Sequence, residues 1–349
     1  MLSAFGWHAV LTQWQFAPVV TVAVVVAAAG YLWGAWRVAR RHPARPWPWW
    51  RTAAFLGGLA VVVLATQSGI GVYDDALAWD HMVQHLLLLM VAPPLLVVGQ
   101  PVTLLLHASR NPLHSWAKRA VRSRTAAFLT WPPFGLAAYC ATIVGTHLTG
   151  LSRLILQNQT LHNAEHVLYL IVGYLFFLPM LGHEPIKWRV SYPIRLLVLA
   201  VAMPVDTFTG LVLGYANRGD VVLTGPRPPG APAPVQDLHW AGAVMWVGGD
   251  AIMLLFIMVV LWMWARDDRA SLGGWLEAAR RSNFEELVGE QARTAATAPG
   301  NARGSGAPGQ PEPAPASQGV IDDDEHLAAY NAYLARLNTA GPDAGQRQP

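Results

Sequence analysis

Seven apolar segments constrain the fold of this chain more than any other feature. Each has about 16 to 24 residues, and an α-helix of that length is roughly as long as the hydrocarbon layer of a bilayer is thick. The strands of a transmembrane barrel would be about half as long and would alternate in polarity. The sequence therefore predicts an all-α, polytopic membrane protein with seven transmembrane helices. The segments span residues 14–36, 52–67, 79–98, 126–147, 161–181, 194–215 and 241–264.

The composition agrees with a membrane protein and excludes some other classes. Charged residues make up 13% of the 349 residues, whereas a soluble domain has about 25%. The single cysteine, Cys140, excludes an internal disulfide and a metal site built on cysteine pairs. The first segment is too long for the apolar part of a signal peptide, so we interpret it as a span. The formal net charge is only +3, and we expect the lipid bilayer as a partner and no nucleic acid.

The distribution of Lys and Arg between loops predicts the orientation. The loops after the first, third and fifth segments carry 13 of these residues, and the alternate loops carry 3. Cytoplasmic loops of membrane proteins are the ones enriched in Lys and Arg. We therefore expect the N-terminus outside and the C-terminus in the cytoplasm, in a multi-pass protein of a bacterial plasma membrane.

The pattern divides the chain into four regions. Residues 1–265 form the transmembrane domain, and residues 266–296 are polar with helical periodicity, which favours an amphipathic segment on the cytoplasmic face. Residues 297–320 are rich in Pro, Gly, Ala and Ser and are typical of a disordered linker. Residues 321–349 open with an acidic run that predicts a short C-terminal helix and tail. That tail is either a docking segment for a partner or a frayed terminus.

Half of the twelve histidines fall at one level of the predicted bundle. In the predicted orientation, the third, fifth and seventh helices begin on the outer side and the fourth ends there. The histidines near these helix ends therefore form one outward-facing layer. They are His81, His85, His147, His162, His166 and His239.

Two of these helices carry a pair of histidines spaced by four residues. Residues i and i+4 lie on one helical face about 6 Å apart, so the two imidazoles of a pair can bind one metal ion. Glu165, beside the second pair, fits the role of an acceptor that orients a ring N–H. A lone histidine here has a plainer explanation as a polar ring wetted at the membrane surface. Two pairs at matched depth favour a metal site, although imidazole suits copper, zinc, iron and nickel alike.

Two carboxylates inside the predicted spans add to this pattern. A charge there is costly unless it is paired or faces a polar cavity. Asp206 is predicted to be a metal ligand or a proton acceptor, with a protonated carboxyl bonded to a neighbouring helix as the alternative; for Asp250 both interpretations stay open. Met203 carries a thioether that suits Cu(I), and either Met203 or Asp206 is expected to complete the site.

Four stretches between residues 81 and 250 carry a resemblance to a known family: HMVQHLLLLMVAPPLLVVGQP, HNAEHVLYLIVGYLFFLPMLG, MPVDTFTGLVLG and DLHWAGAVMWVGGD. The chain resembles the CtaG-type cytochrome c oxidase assembly family of bacterial integral membrane proteins. The resemblance implies a role in maturing heme-copper oxidases by supplying copper. The motifs that match best carry over His81, His85, His162, His166 and Asp206, whereas the motif around His239 departs from the usual acidic–Gln pair.

These observations together predict a copper-binding assembly factor that is not an enzyme. The histidine cluster would take copper from a periplasmic copper donor and deliver it by ligand exchange to a subunit of a heme-copper oxidase. One alternative is a b-type cytochrome in which histidines such as His85 and His166 are axial ligands of a heme. Another is a metal-free scaffold that holds oxidase subunits through the segment at residues 322–337.

Overall fold

The chain folds as a bundle of helices. The structure, a computed structural model, describes residues 12–182, 184–215 and 226–297, and these residues contain no strand. The chain divides into two compact units, Met1–Ala279 and Arg280–Pro349, and every contact discussed below belongs to the first. Almost all of the predicted linker and the whole of the predicted C-terminal tail lie outside the described residues.

The helices follow one another through short connections and are numbered in chain order. They are α1 (Pro18–Arg41), α2 (Trp49–Gln67), α3 (Gly69–Tyr73), α4 (Ala78–Leu86), α5 (Ala92–Val98), α6 (Pro101–Ala108), α7 (Leu113–Val121), α8 (Arg124–Leu129), α9 (Pro132–Leu148), α10 (Leu151–Gln157), α11 (Gln159–Leu181), α12 (Tyr192–Gly214), α13 (Pro234–Ala243) and α14 (Gly249–Thr297). Two π-helical turns, Leu87–Val91 and Val244–Gly248, join α4 to α5 and α13 to α14.

The helices of the structure can be compared with the seven predicted spans by their length and hydropathy. Six helical stretches within the described residues are long and apolar enough to cross a membrane. The predicted fourth span, residues 126–147, overlaps α8 and α9. α9 and α10 are bent by 73° relative to each other, and they count as a seventh span if the pair is one span. The bend lies at Thr149, whose backbone is extended. The six stretches are Pro18–Arg41, Trp49–Tyr73, Ala78–Ala108, Gln159–Leu181, Tyr192–Gly214 and Pro234–Arg269.

The last helix is longer than its predicted span. α14 continues without a break across the predicted domain boundary at residue 265, so the segment predicted at 266–296 extends the helix of the seventh span. The helical periodicity read from that segment is therefore part of one 49-residue helix.

The third span, α4 to α5, lies in a ring of packed helices. Going round the ring, α5 packs against α2 and α11, α11 against α9, α9 against α12, α12 against α13, and α13 against α4. The main apolar core lies inside this ring. α1 packs on its outside, against α2 and α6, and exposes Val19, Val22, Val25 and Val26, which is the arrangement expected of a helix that faces lipid.

At two positions in the ring, glycine allows the backbones of neighbouring helices to come into close contact. A Cβ atom at Gly173 of α11 would overlap the carbonyl oxygen of Leu89, so only glycine lets α11 pack this closely on the third span. A Cβ atom at Gly242 of α13 would lie 2.5 Å from the carbonyl oxygen of Gly210 in α12. Small residues are the usual means by which membrane helices approach each other.

The π-helical turn in the third span has a local cause. Pro93 and Pro94 have no N–H to donate to the carbonyls four residues earlier, at Leu89 and Met90. The helix widens over Leu87–Val91, immediately before these prolines. π-helical turns are frequent near functional sites because they redirect side chains within a helix. This one directly follows the two histidines of α4.

Candidate metal centre

α4 brings His81 and His85 into the interior of the bundle. Both side chains are buried, and their ring centroids are 4.1 Å apart, as expected for residues on one helical face. The start of α4 is held by Asp237, whose carboxylate accepts hydrogen bonds from the backbone N–H groups of Ala78 (3.1 Å) and Trp79 (3.2 Å). A carboxylate at a helix N-terminus satisfies free N–H groups and favours the helix dipole. The seventh span therefore positions the histidine pair.

α11 faces this pair with four functional side chains. His162 and Glu165 are buried, and His166 is partly exposed. Tyr169, one turn further along, stacks its ring on that of His85 with the centroids 4.3 Å apart. The sequence HNAEH therefore directs two imidazoles and one carboxylate toward the third span.

The first of two ligand groups, here the inner group, consists of His81, His85 and Glu165. Each offers a ligand atom within 4.8 Å of the others, and His85 Nε2 lies 3.6 Å from Glu165 Oε2. Three buried atoms, namely His81 Nδ1, His85 Nε2 and Glu165 Oε2, have no hydrogen-bond partner among the described residues. Buried polar atoms nearly always have a partner. Three such atoms on adjacent side chains make the inner group a candidate site for an ion.

His147 lies behind His85 and orients it. His147 Nδ1 is 2.9 Å from the carbonyl oxygen of Ile143. Because a carbonyl only accepts, Nδ1 carries the proton and Nε2 the lone pair. His85 Nδ1 is 3.2 Å from that Nε2 and donates to it. The lone pair of His85 is thereby placed on Nε2, the atom that faces Glu165, and such a partner fixes the tautomer of a metal-binding histidine.

The second ligand group, here the rim group, consists of Asp74, His162 and His166. Its ligand atoms also lie within 4.8 Å of one another. His162 uses Nδ1 to contact Asp75 Oδ1 at 3.2 Å, while its Nε2 lies 3.9 Å from Asp74 Oδ2. The ring of His162 is 5.3 Å from that of His81, measured between centroids. The rim group and the inner group are therefore neighbours that share no residue.

Gln84, on α4, links the rim group to α2 by hydrogen bonds. Its amide nitrogen donates to the carbonyl oxygen of Ala65 and to Asp74 Oδ2, both at 2.9 Å. Since both contacts are acceptors, the amide orientation is fixed and Gln84 Oε1 faces His166 Nε2 at 2.9 Å. That Nε2 must then donate, which leaves the lone pair of His166 on Nδ1.

The two carboxyl groups between α3 and α4 differ in charge. Burial raises the pKa of Asp74 to about 7, because desolvation penalises the ionised form. The hydrogen bond from His162 lowers the pKa of Asp75, whose side chain is 37% exposed. Asp75 is therefore ionised at neutral pH, while Asp74 exchanges a proton there.

Asp206, predicted as a ligand, lies outside both groups. It is buried, and the hydroxyl of Tyr139 contacts both of its oxygens, at 2.9 and 3.1 Å. It lines one narrow cavity together with His85 and His147. The structure therefore places Asp206 close to the histidines and gives its carboxylate a partner on α9.

Three further residues singled out from the sequence lie elsewhere. Met203 is partly buried and packs against the apolar core. Asp250 Oδ2 accepts a hydrogen bond from Thr207 at 2.8 Å. His239 is exposed, and its ring lies 6.4 Å from that of Tyr215. None of the three belongs to either ligand group, each of which is drawn from the described residues.

The structure also adds residues that sequence reasoning missed. No sequence motif points to Asp74 or to Gln84. Glu165 was predicted as an acceptor for a ring N–H, whereas its Oε2 faces His85 Nε2 as a member of the inner group. Asp74 and Gln84 are polar residues that lie close to the first histidine pair in the sequence. This proximity is the signal by which they could have been found.

Comparison with known proteins gives the family. The model of the cytochrome c oxidase caa3 assembly factor family, Caa3_CtaG, matches residues 29–267. The chain belongs to this family. Like other Caa3_CtaG members it is a multi-pass protein of the cell membrane, and the resemblance noted from its motifs is confirmed.

The relatives among curated proteins are mycobacterial and uncharacterised. The chain is 31% identical over 269 residues to proteins of Mycobacterium bovis and Mycobacterium tuberculosis, and 28% identical over 266 residues to one of Mycobacterium leprae. These matches cover 74% of this chain but only 40% of each relative. No solved structure is significantly similar to the chain.

Proposed function

We propose that this Caa3_CtaG protein binds copper at the inner group and passes it to a subunit of a heme-copper oxidase during assembly. The observation that carries the proposal is the set of three buried, unpartnered ligand atoms on His81, His85 and Glu165. Copper is cargo in this proposal, so the protein holds and releases the ion and catalyses no turnover chemistry. A periplasmic donor of copper stays a prediction.

The donor set of the inner group supports copper binding. Two imidazoles and one carboxylate are ligands for Cu(II), Zn(II) and Fe(II), and among divalent ions of this row copper binds such sites most tightly. His147 keeps the lone pair of His85 on the atom that faces the site. Release requires breaking few bonds, because three protein ligands leave a position open to an incoming ligand of a partner.

The packing of the rings favours an ion over a heme. The ring of His85 is in contact with those of His81, His147 and Tyr169, at centroid distances of 4.1, 5.2 and 4.3 Å. An axial ligand of a heme needs a flat gap as wide as the porphyrin beside its ring. Purified protein should therefore lack a Soret band, and a Soret band that disappears in a His85→Ala variant would contradict the proposal.

Elemental analysis tests the proposal. The full chain, purified in detergent and loaded with copper, is compared with a His81→Ala/His85→Ala double variant. His239→Ala is the matched control, because it removes an exposed histidine that lies outside both groups. We expect wild type and control to retain copper and the double variant to lose the ion of the inner group. Equal copper in all three proteins would refute binding at His81 and His85.

In cells, the same variants separate copper delivery from a scaffold role. We expect the double variant to abolish assembly of active oxidase at low copper and His239→Ala to preserve it. A chain truncated before residue 321 should remain active. If truncation abolished assembly and the double variant did not, the metal-free scaffold would be the better account.

A further inference from the structure

The rim group repeats the chemistry of the inner group with different residues. Each group has two imidazoles from one HxxxH pair and one carboxylate from another helix or connection: Glu165 faces His81 and His85, and Asp74 faces His162 and His166. Since no residue is shared, an ion at one group does not use up a ligand of the other.

The rim group has its own unpartnered atom. His162 is 2% exposed, and its buried Nε2 has no hydrogen-bond partner in the described part of the chain. The contact of His162 Nδ1 with Asp75, at 3.2 Å, places a proton on Nδ1 and the lone pair on Nε2. That lone pair is directed toward the side of the ring where Asp74 Oδ2 lies, 3.9 Å away.

Each ligand group is also oriented by residues outside it. In the rim group, Asp75 fixes the tautomer of His162 and Gln84 fixes that of His166. In the inner group, His147 does the same for His85. Partners that hold metal-binding histidines in this way are typical of built metal sites. A rim group that merely satisfied polar atoms would have no reason to leave His162 Nε2 unpaired.

Carboxylates lie within or beside both ligand groups. Buried cations require nearby negative charge, and Asp74, Asp75 and Glu165 together supply three carboxylates within or beside the two groups. The centroid distance of 5.3 Å between the rings of His81 and His162 puts the two groups side by side.

We propose that the rim group is a second metal site, so that the protein holds two copper ions next to each other, one on Asp74, His162 and His166 and one on His81, His85 and Glu165. This inference rests on the proposed function, because it assigns the same cargo to both groups. It adds a binding site whose carboxylate comes from the connection between α3 and α4.

The number of bound ions tests the inference. The full-length protein in detergent is loaded with excess CuCl₂, desalted and analysed for copper per chain, beside Asp74→Asn, Glu165→Gln and the exposed control Glu277→Gln. We expect two ions in wild type and control, and one ion in each of the other variants. One ion in wild type that Asp74→Asn retains would overturn the second site and leave the proposed function standing. No copper in wild type would overturn both.

A spectroscopic measurement on wild-type protein keeps the inference testable even if a variant fails to fold. In the electron paramagnetic resonance spectrum of fully loaded wild type, two neighbouring Cu(II) ions should broaden each other's signal by magnetic coupling. Asp74→Asn and Glu165→Gln should each give the narrower spectrum of an isolated Cu(II). An uncoupled spectrum from wild type at full loading would contradict two adjacent sites without reference to any variant.

Discussion

His147 Nε2 accepts a hydrogen bond from His85 Nδ1 at 3.2 Å, and this contact decides which atom of His85 is free to bind metal. The carbonyl of Ile143 fixes the proton on the far side of His147. His147 is thus a positioning residue for His85 and needs no direct contact with the ion.

The first prediction concerns His147. In His147→Ala, His85 loses the acceptor that fixes its tautomer, and copper affinity should fall about 10- to 100-fold, the usual effect of losing such a partner. His147→Gln places an amide oxygen near the position of Nε2 and should recover much of the affinity. Competition titration with a copper chelator measures both. Loss of one whole ion in His147→Ala, unrecovered in His147→Gln, would make His147 a ligand instead.

The second prediction concerns acid release of copper. Imidazole binds metal only when neutral, and its ordinary pKa is about 6.5, so protons compete with copper at the histidines. Copper retained after dialysis should therefore fall steeply between about pH 7 and pH 5. Atomic absorption of the dialysed protein measures the retained copper. Full retention at pH 5 would contradict coordination by histidine.

The third prediction concerns Asp74 in metal-free protein. Its pKa is raised to about 7 by burial, so its ionisation opposes folding, and the protein loses stability as the pH rises from the unfolded pKa of about 3.9 to the folded pKa. Asn at this position is neutral at every pH. Asp74→Asn should therefore stabilise metal-free protein, relative to wild type, by on the order of 2 kcal/mol more at pH 8 than at pH 5. Thermal unfolding in chelator at both pH values measures this difference. A stability difference that does not change with pH would show that Asp74 is not buried as described.

The fourth prediction separates Asp206 from the metal ligands. Tyr139→Phe removes the hydroxyl that contacts both oxygens of Asp206 and leaves a buried carboxyl group without that partner. The cost should be about 1–3 kcal/mol of unfolding free energy, with copper content unchanged. Thermal unfolding and elemental analysis of the same sample check both parts. Loss of copper at unchanged stability would instead support Asp206 as a metal ligand, as predicted from the sequence.

The fifth prediction concerns the packing of α11 on the third span. Gly173→Ala places a Cβ atom against the carbonyl of Leu89 and must push α11 away from the histidines of α4. We expect weaker copper binding and a loss of about 1–3 kcal/mol. Gly57→Ala is the control, because a Cβ atom there meets no described atom within 4 Å. Equal copper affinity in the two variants would show that this contact does not align the ligand groups.

The spans and the paired histidines could be predicted because both follow from local periodicity. An apolar run of membrane length and a spacing of four residues on a helix are properties of consecutive residues. His81, His85, His162 and His166 accordingly lie in the two groups. His239 lies on α13 with an exposed side chain, because a position along a helix does not specify the face of the helix.

The remaining members of the site depend on contacts between distant segments. Gln84 acts through Ala65 on α2 and His166 on α11, and no local pattern predicts these partners. The role of His147 likewise depends on its contact with His85, which lies 62 residues earlier in the chain. Asp206 contacts Tyr139, which lies 67 residues earlier in the chain, and no local pattern predicts that partner for a carboxyl group predicted to lie inside a span.

X-ray absorption at the copper edge tests the central claim most directly, on protein that carries Asp74→Asn to disable the rim group, with or without the substitutions in the inner group, and that is loaded with one equivalent of copper. Binding by His81, His85 and Glu165 predicts nitrogen and oxygen neighbours with the outer-atom scattering of imidazole rings, and this scattering should decrease in His81→Ala. A copper ion surrounded by sulfur, or one whose spectrum is unchanged in His81→Ala/His85→Ala, would contradict the account.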